Sequence, residues 1–163
     1  MIIIKAYYHL IAILVKFIYS IIYLKKISIG QKTTWRSSFK LMIDKNGFLK
    51  IGEYCFFNNY CSINVNNRIE IGSNTIFGEN VKIYDHNHRF NLKNKNISDQ
   101  GFSNGTVKIG NNCWIGSNTT ILKGSEIGDN VVIGAGMVID SKIPSNTIVK
   151  RQSNYVINDI QYK

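Results

Sequence analysis

From Ile109 to Asn146 the chain reads IGNNCWIGSNTTILKGSEIGDNVVIGAGMVIDSKIPSN, with isoleucine at 109, 115, 121, 127, 133 and 139, every sixth residue without a break. A period of six fits neither one face of an α-helix nor the simple alternation of a half-buried strand. Glycine follows the isoleucine at Gly110, Gly116, Gly128 and Gly134, and four residues after each isoleucine stands Cys113, Thr119, Ser125, Val131, Met137 or Ile143. Two inward positions per six residues, separated by residues able to turn, describe a short strand and a corner repeated many times. Such a period is the signature of a solenoid.

The same register runs through Ile51, Phe57, Ile63 and Ile69, slips by two, and resumes at Ile71, Phe77 and Ile83. Tight corners need residues that tolerate positive φ, and Asn67, Asn74, Asn80, Asn112, Asn118 and Asn130 punctuate the strands accordingly. Pro144, the single proline, is expected to mark the end of the coil. Cys55, Cys61 and Cys113 fall on the small inward position and read as buried packing residues. They cannot all pair with one another and lack metal-ligand spacing, which points to a reducing compartment.

Composition narrows the class. The 163 residues suit one domain, and 44% hydrophobic with 18% charged residues argues against disorder and against a polytopic membrane protein. A formal net charge of +10 favours anionic partners. The basic residues spread from Lys5 to Lys163 and form no single patch, so nucleic acid is not expected.

The run of hexads from Ile109 to Asn146, with the earlier frame, resembles the hexapeptide-repeat acyltransferases, the family of the galactoside, maltose and virginiamycin acetyltransferases. The resemblance covers roughly residues 51–157. It implies an all-β solenoid, a left-handed parallel β-helix with three hexads per turn, assembled as a homotrimer. Parallel crossovers are ordinarily right-handed, so handedness comes from the family and not from the pattern. The expected organisation is an apolar helical segment over residues 1–30, a β-helix over 31–150 with an extruded loop at 89–106, and a tail over 151–163.

Two of the three histidines lie in Ile83–Phe90, IYDHNHRF. In the six-residue frame Ile83 points inward, Asn87 takes the second inward place, and His88 follows at an outward corner. The hexads then stop for the stretch Arg89–Gly105, and an interruption of that length in a regular solenoid is more often functional than decorative. Family members carry a general-base histidine just before such a loop, and Asn87-His88-Arg89 is similar to the catalytic stretch of the virginiamycin enzymes. The resemblance therefore implies that His88 is the base. Imidazole, titrating near pH 6.5, suits removal of a hydroxyl proton as it attacks a thioester. Asp85 or a backbone carbonyl would hold its other nitrogen. His86 would contact the acceptor or lie exposed. The γ-class carbonic anhydrases share the fold and bind zinc through three histidines, but His86 and His88 alone lie in the solenoid, so no metal is expected.

The resemblance also implies acetyl-coenzyme A as acyl donor, its pantetheine arm lying between neighbouring coils. By position Ser117 would sit near the thioester, Ala135 along the arm and Trp114 beside the site, the last being equally able to fill a surface groove. Lys142, Lys150 and Arg151 are candidates for the nucleotide phosphates by charge. The sequence departs from many relatives in reading Arg151-Gln152-Ser153-Asn154-Tyr155 after the last coil, with Tyr155 at a usually basic position. Asn58 matches an asparagine that contacts the acceptor sugar in the galactoside enzymes, whereas Asn66 stands where they carry an acidic residue.

In the first segment, Met1–Lys26, Lys5, His9, Lys16 and Ser20 form a narrow polar stripe at helical spacing on an otherwise apolar helix. Lys16 near its centre argues against a spanning helix, and no small-residue cleavage site follows, which argues against a secretory signal. The helix is expected to lie on an anionic leaflet or to pack in its own trimer, and the width of the apolar face favours the leaflet. The resemblance, with this N-terminal segment, implies a cytoplasmic O-acetyltransferase, peripheral at the inner membrane face, acting on a free or lipid-linked saccharide in cell-surface polysaccharide biosynthesis. The alternatives are a non-catalytic scaffold and a γ-carbonic-anhydrase-like lyase.

Overall fold

The computed structural model describes residues 2–152, with side chains from Tyr7 on. The tail after Gln152, including Tyr155 and the last part of the family resemblance, lies outside the described residues. Helix α1 (Ile2–Tyr23) is followed by six coils of parallel strand. Coil one holds β1 (Ile27–Ile29), β2 (Thr34–Trp35) and β3 (Lys40–Ile43), and coil two holds β4 (Phe48–Ile51), β5 (Phe56–Phe57) and β6 (Ser62–Val65). Coil three holds β7 (Arg68–Ile71), β8 (Ile76–Phe77) and β9 (Lys82–Tyr84). An antiparallel hairpin, β10 (His86–His88) with β11 (Phe102–Asn104), then leaves the solenoid. Coil four holds β12 (Thr106–Ile109), β13 (Trp114–Ile115) and β14 (Thr120–Ile121), and coil five β15 (Glu126–Ile127), β16 (Val132–Ile133) and β17 (Val138–Ile139). Coil six ends the description with β18 (Lys142–Ile143) and β19 (Ile148–Val149).

The strands stack into three sheets along a triangular prism: sheet one is β1-β4-β7-β12-β15-β18, sheet two β2-β5-β8-β13-β16-β19, and sheet three β3-β6-β9-β14-β17. This is the left-handed parallel β-helix that the resemblance implied. The six isoleucines at 109–139 are all buried, as are Cys113, Thr119, Ser125 and Val131. Phe57 and Phe77 lie parallel in the core, ring centroids 4.3 Å apart. Asn74, Asn80, Asn112, Asn118 and Asn130 take positive φ at the corners, as expected. Asn67 does not belong to that set.

Register explains the remaining differences. Ile109 pairs with Ile127, and Ile127 pairs with Ile143. The second step is two residues shorter than the first, so Ile143 occupies the isoleucine position and not the fourth place after Ile139. Pro144 does not end the coil, because β19 follows it and pairs with β16. At the other end β1 pairs with β4, so solenoid pairing already begins at Ile27, four residues before the expected boundary.

α1 closes the open end of coil one. Its inward side carries Ala12, Val15, Tyr19 and Tyr23, which pack on the core. Tyr19 approaches Trp35, the Lys16 ammonium donates to the Gly30 carbonyl at 3.0 Å, and the Tyr23 hydroxyl donates to the Leu41 carbonyl at 3.2 Å. Those partners belong to coil one on all three sheets. Tyr7–Lys26 is long and apolar enough to cross a membrane, with mean hydropathy 1.6.

Candidate active site

The hairpin leaves the prism where sheet three would turn into sheet one. Asp85, immediately after β9, is fully buried and takes the inward place the six-residue frame gave to Asn87, which is exposed. Burying a carboxylate is costly unless its lone pairs are satisfied. Oδ1 accepts the Asn66 amide at 2.8 Å, and Oδ2 accepts the Asn67 amide at 2.7 Å. Oδ1 also lies 2.9 Å from His86 Nδ1.

This arrangement corrects the expected partner of Asp85. Its carboxylate faces His86 and not His88, because consecutive residues on the first turn of the hairpin bring that imidazole back over the corner. With Asp85 ionised, Nδ1 of His86 donates and Nε2 is left as the basic nitrogen. The His86 side chain is 19% exposed, open enough to meet a substrate. His88 is exposed and pairs across the hairpin with Phe102. The Phe102 ring touches both imidazoles, at 5.0 Å from His86 and 4.6 Å from His88.

Beside His88 opens a hollow of about 400 Å³ lined by Arg89, Phe90, Leu92, Ser103 and Lys123 among others. Lys123, from the corner after β14, donates to Ser103 Oγ at 2.6 Å and so ties the hairpin to coil four. Gln100 is buried at the base of the loop, where its side chain accepts from the Leu92 amide at 2.8 Å and donates to the Lys95 carbonyl at 2.8 Å. Neither Lys123 nor Gln100 stood out in the sequence, since each acts through tertiary placement. Asn66 did carry a signal, as a departure from relatives. Its side chain donates to Asn104 Oδ1 at 3.0 Å, joining coil two to the hairpin.

The donor candidates gather elsewhere. Ser117, Ala135 and Arg151 each follow a sheet-two strand by two residues, on coils four, five and six, and Lys150 lies next to Arg151. They stack on the edge between sheets two and three. Ser117 and Ala135 are small, and Ala135, Lys150 and Arg151 are exposed. Asn58 sits at the same edge on coil two, its Oδ1 accepting from Arg36 at 3.3 Å. Lys142 does not join them: it lies on sheet one and pairs with Glu126 at 3.0 Å. The histidines occupy the opposite edge of sheet three, roughly 15 Å away at about 3.3 Å per residue.

Trp114 points outward from sheet two, 55% exposed, in register between Ile76 and Val132. Phe56, Ile76, Trp114, Val132 and Ile148 form one apolar outer ladder. The three cysteines donate across coils, Cys55 to Gly72, Cys61 to Gly78 and Cys113 to Gly128, with sulfur to carbonyl oxygen 3.0–3.2 Å. Burial raises all three thiols, Cys61 to about 11, so none is a poised thiolate. Among the described residues no three His, Cys, Asp or Glu side chains gather as a metal site requires.

A family profile, bacterial transferase hexapeptide (six repeats), matches residues 106–141. The chain is 34% identical to a maltose O-acetyltransferase from Clostridium difficile 630, with a TM-score of 0.63 over 79% of this chain and 67% of that one. It is 26% identical to a galactoside acetyltransferase solved in complex with coenzyme A, with a TM-score of 0.58 over 81% of this chain and 72% of that one. Over 130 residues it is 29% identical to WbbJ of Escherichia coli K12, a protein named for lipopolysaccharide biosynthesis O-acetyl transfer, covering 76% of this chain and 66% of that one. The chain belongs to the hexapeptide-repeat acetyltransferase family. It spans 38–66% of the length of the first curated relatives it matches.

Proposed function

We propose that this chain transfers an acetyl group from acetyl-coenzyme A to a saccharide hydroxyl, with His86 as general base. The observation that carries the reading is the contact of 2.9 Å between Asp85 Oδ1 and His86 Nδ1 beside the extruded hairpin. In this reading His86 takes the base role that the family resemblance implied for His88, since the Asp85 carboxylate meets His86 Nδ1. His86 Nε2 accepts the acceptor's hydroxyl proton as the oxygen attacks the thioester carbonyl. The C–S bond then breaks, and the imidazolium returns the proton to the departing thiolate, giving an O-acetyl ester and free coenzyme A. Asp85 is a positioning residue. In this reading His88, which lines the hollow, contacts the acceptor.

A saccharide acceptor is supported by the names of the relatives: maltose and galactoside acetyltransferases, and a protein named for lipopolysaccharide biosynthesis. A role in cell-surface polysaccharide synthesis rests on the last of these. The donor reading is supported by the edge of Ser117, Ala135, Lys150 and Arg151, where small residues leave backbone groups accessible and two cations stand ready for phosphates. Donor edge and histidines lie on opposite sides of sheet three, so one chain does not bring them together. A homotrimer that sets the donor edge of one copy against the hairpin of the next would complete the site. Three buried unpaired thiols support a cytoplasmic location.

The test is release of free thiol from acetyl-coenzyme A with a panel of glycan acceptors. Acceptor-dependent release, with the acetyl ester found on the sugar, supports the reading. Donor hydrolysis that ignores every acceptor, or acetylation of amino sugars alone, contradicts it.

A further inference from the structure

α1 is two-faced. One side covers coil one through Ala12, Val15, Tyr19 and Tyr23, while Leu10, Ile13, Leu14, Phe17, Ile21 and Ile22 on the other are 54–69% exposed. So wide an uncovered apolar face on one element calls for a partner. Charge at the same end narrows its chemistry. Residues 1–50 hold nine of the 20 Lys and Arg residues but only one of the ten acidic residues, Asp44. The net charge of +10 is therefore concentrated at this end, and not spread evenly along the chain. Lys25, Lys32, Arg36, Lys40 and Lys45 are exposed around the helix and coil one.

We propose that the outward face of α1, with this basic rim, docks in the plane of an anionic phospholipid leaflet. Apolar side chains enter the acyl boundary while lysines meet acidic headgroups, the pattern of an interfacial helix. Docking in plane is favoured over spanning because α1 is already committed on its inner side. Lys16, near mid-helix, caps the Gly30 carbonyl, and withdrawing the helix into a bilayer would expose Trp35 and Phe39 at the end of the core. A second copy is disfavoured as occupant, since face-to-face helices would bring two basic ends together. The self-association proposed above joins the donor edge of coils four to six to the hairpin and leaves this end free.

The experiment is flotation of the full chain with phosphatidylcholine vesicles, with and without phosphatidylserine. Binding is expected to be at least about tenfold stronger with phosphatidylserine and to fall with added salt. Leu14→Asp/Phe17→Asp should abolish it with thermal melting and oligomeric mass unchanged. Lys25→Glu should weaken it by about fivefold or more and keeps the test open if the first variant misfolds. No flotation with anionic vesicles would overturn the proposal, as would binding indifferent to both variants. A change of oligomeric mass in the aspartate variant would assign the face to a second copy, and resistance of the wild type to alkaline extraction would make α1 a spanning helix. Either result overturns docking in plane.

Discussion

Asp85 and His86 are consecutive in sequence, yet their side chains meet, Oδ1 to Nδ1 at 2.9 Å, because the chain leaves the solenoid between them. The same carboxylate receives the backbone amides of Asn66 and Asn67 from the coil below. One buried group thus shapes the corner and orients the imidazole. Asp85→Ala should cost about 2–3 kcal/mol, because amide donors lose their acceptor at a buried corner. Urea denaturation of the two proteins checks this, and an unchanged midpoint would mean that the corner holds itself.

Phe57 and Phe77, stacked at 4.3 Å and both fully buried, fill the prism where coils two and three meet. Phe77→Ala should destabilise by about 3–5 kcal/mol, since a narrow core cannot collapse around a cavity of that size. Phe77→Leu should recover most of the loss, as read from thermal melts.

Burial pushes the Cys61 thiol from its ordinary 9.0 up to about 11. Below pH 9 the thiol is protonated in both folded and unfolded chains, and its contribution to stability is intact. Between about 9 and 11 the unfolded chain loses the proton while the folded one keeps it, so stability falls as pH rises. The difference in melting temperature between wild type and Cys61→Ala should therefore shrink across that window. A constant difference would show that burial does not hold the proton. Below pH 9 the thiol should also stay unreactive toward a disulfide reagent until the protein unfolds.

The period of six exposed most of the architecture because an inward isoleucine on a two-residue strand leaves few alternatives. Coil one was harder to see. Its last corner, residues 44–47 between β3 and β4, is longer than residues 66–67 between β6 and β7, and Lys32 and Ser38 take the positive φ that asparagine takes later. Counting hexads also misplaced Ile143, since a corner shortened by two residues is invisible until strands are paired. At the site, the sequence marked both histidines and an extruded loop over 89–106, but neither the hairpin that begins at His86 nor which imidazole Asp85 would hold. That choice depends on where the chain leaves the frame: at His86, directly after Asp85, and not at Arg89. Lys123 and Gln100 left no pattern at all, since their roles are contacts made across the fold.

The most direct test is the rate of acetyl transfer for wild type, His86→Ala and His88→Ala, measured in parallel at saturating acetyl-coenzyme A with an acceptor that the wild type uses. Loss of the base should lower turnover about 10²–10⁴-fold in His86→Ala, whereas His88→Ala should chiefly raise the acceptor KM. A large fall in turnover for His88→Ala with His86→Ala near wild type would contradict the account and return the base to His88.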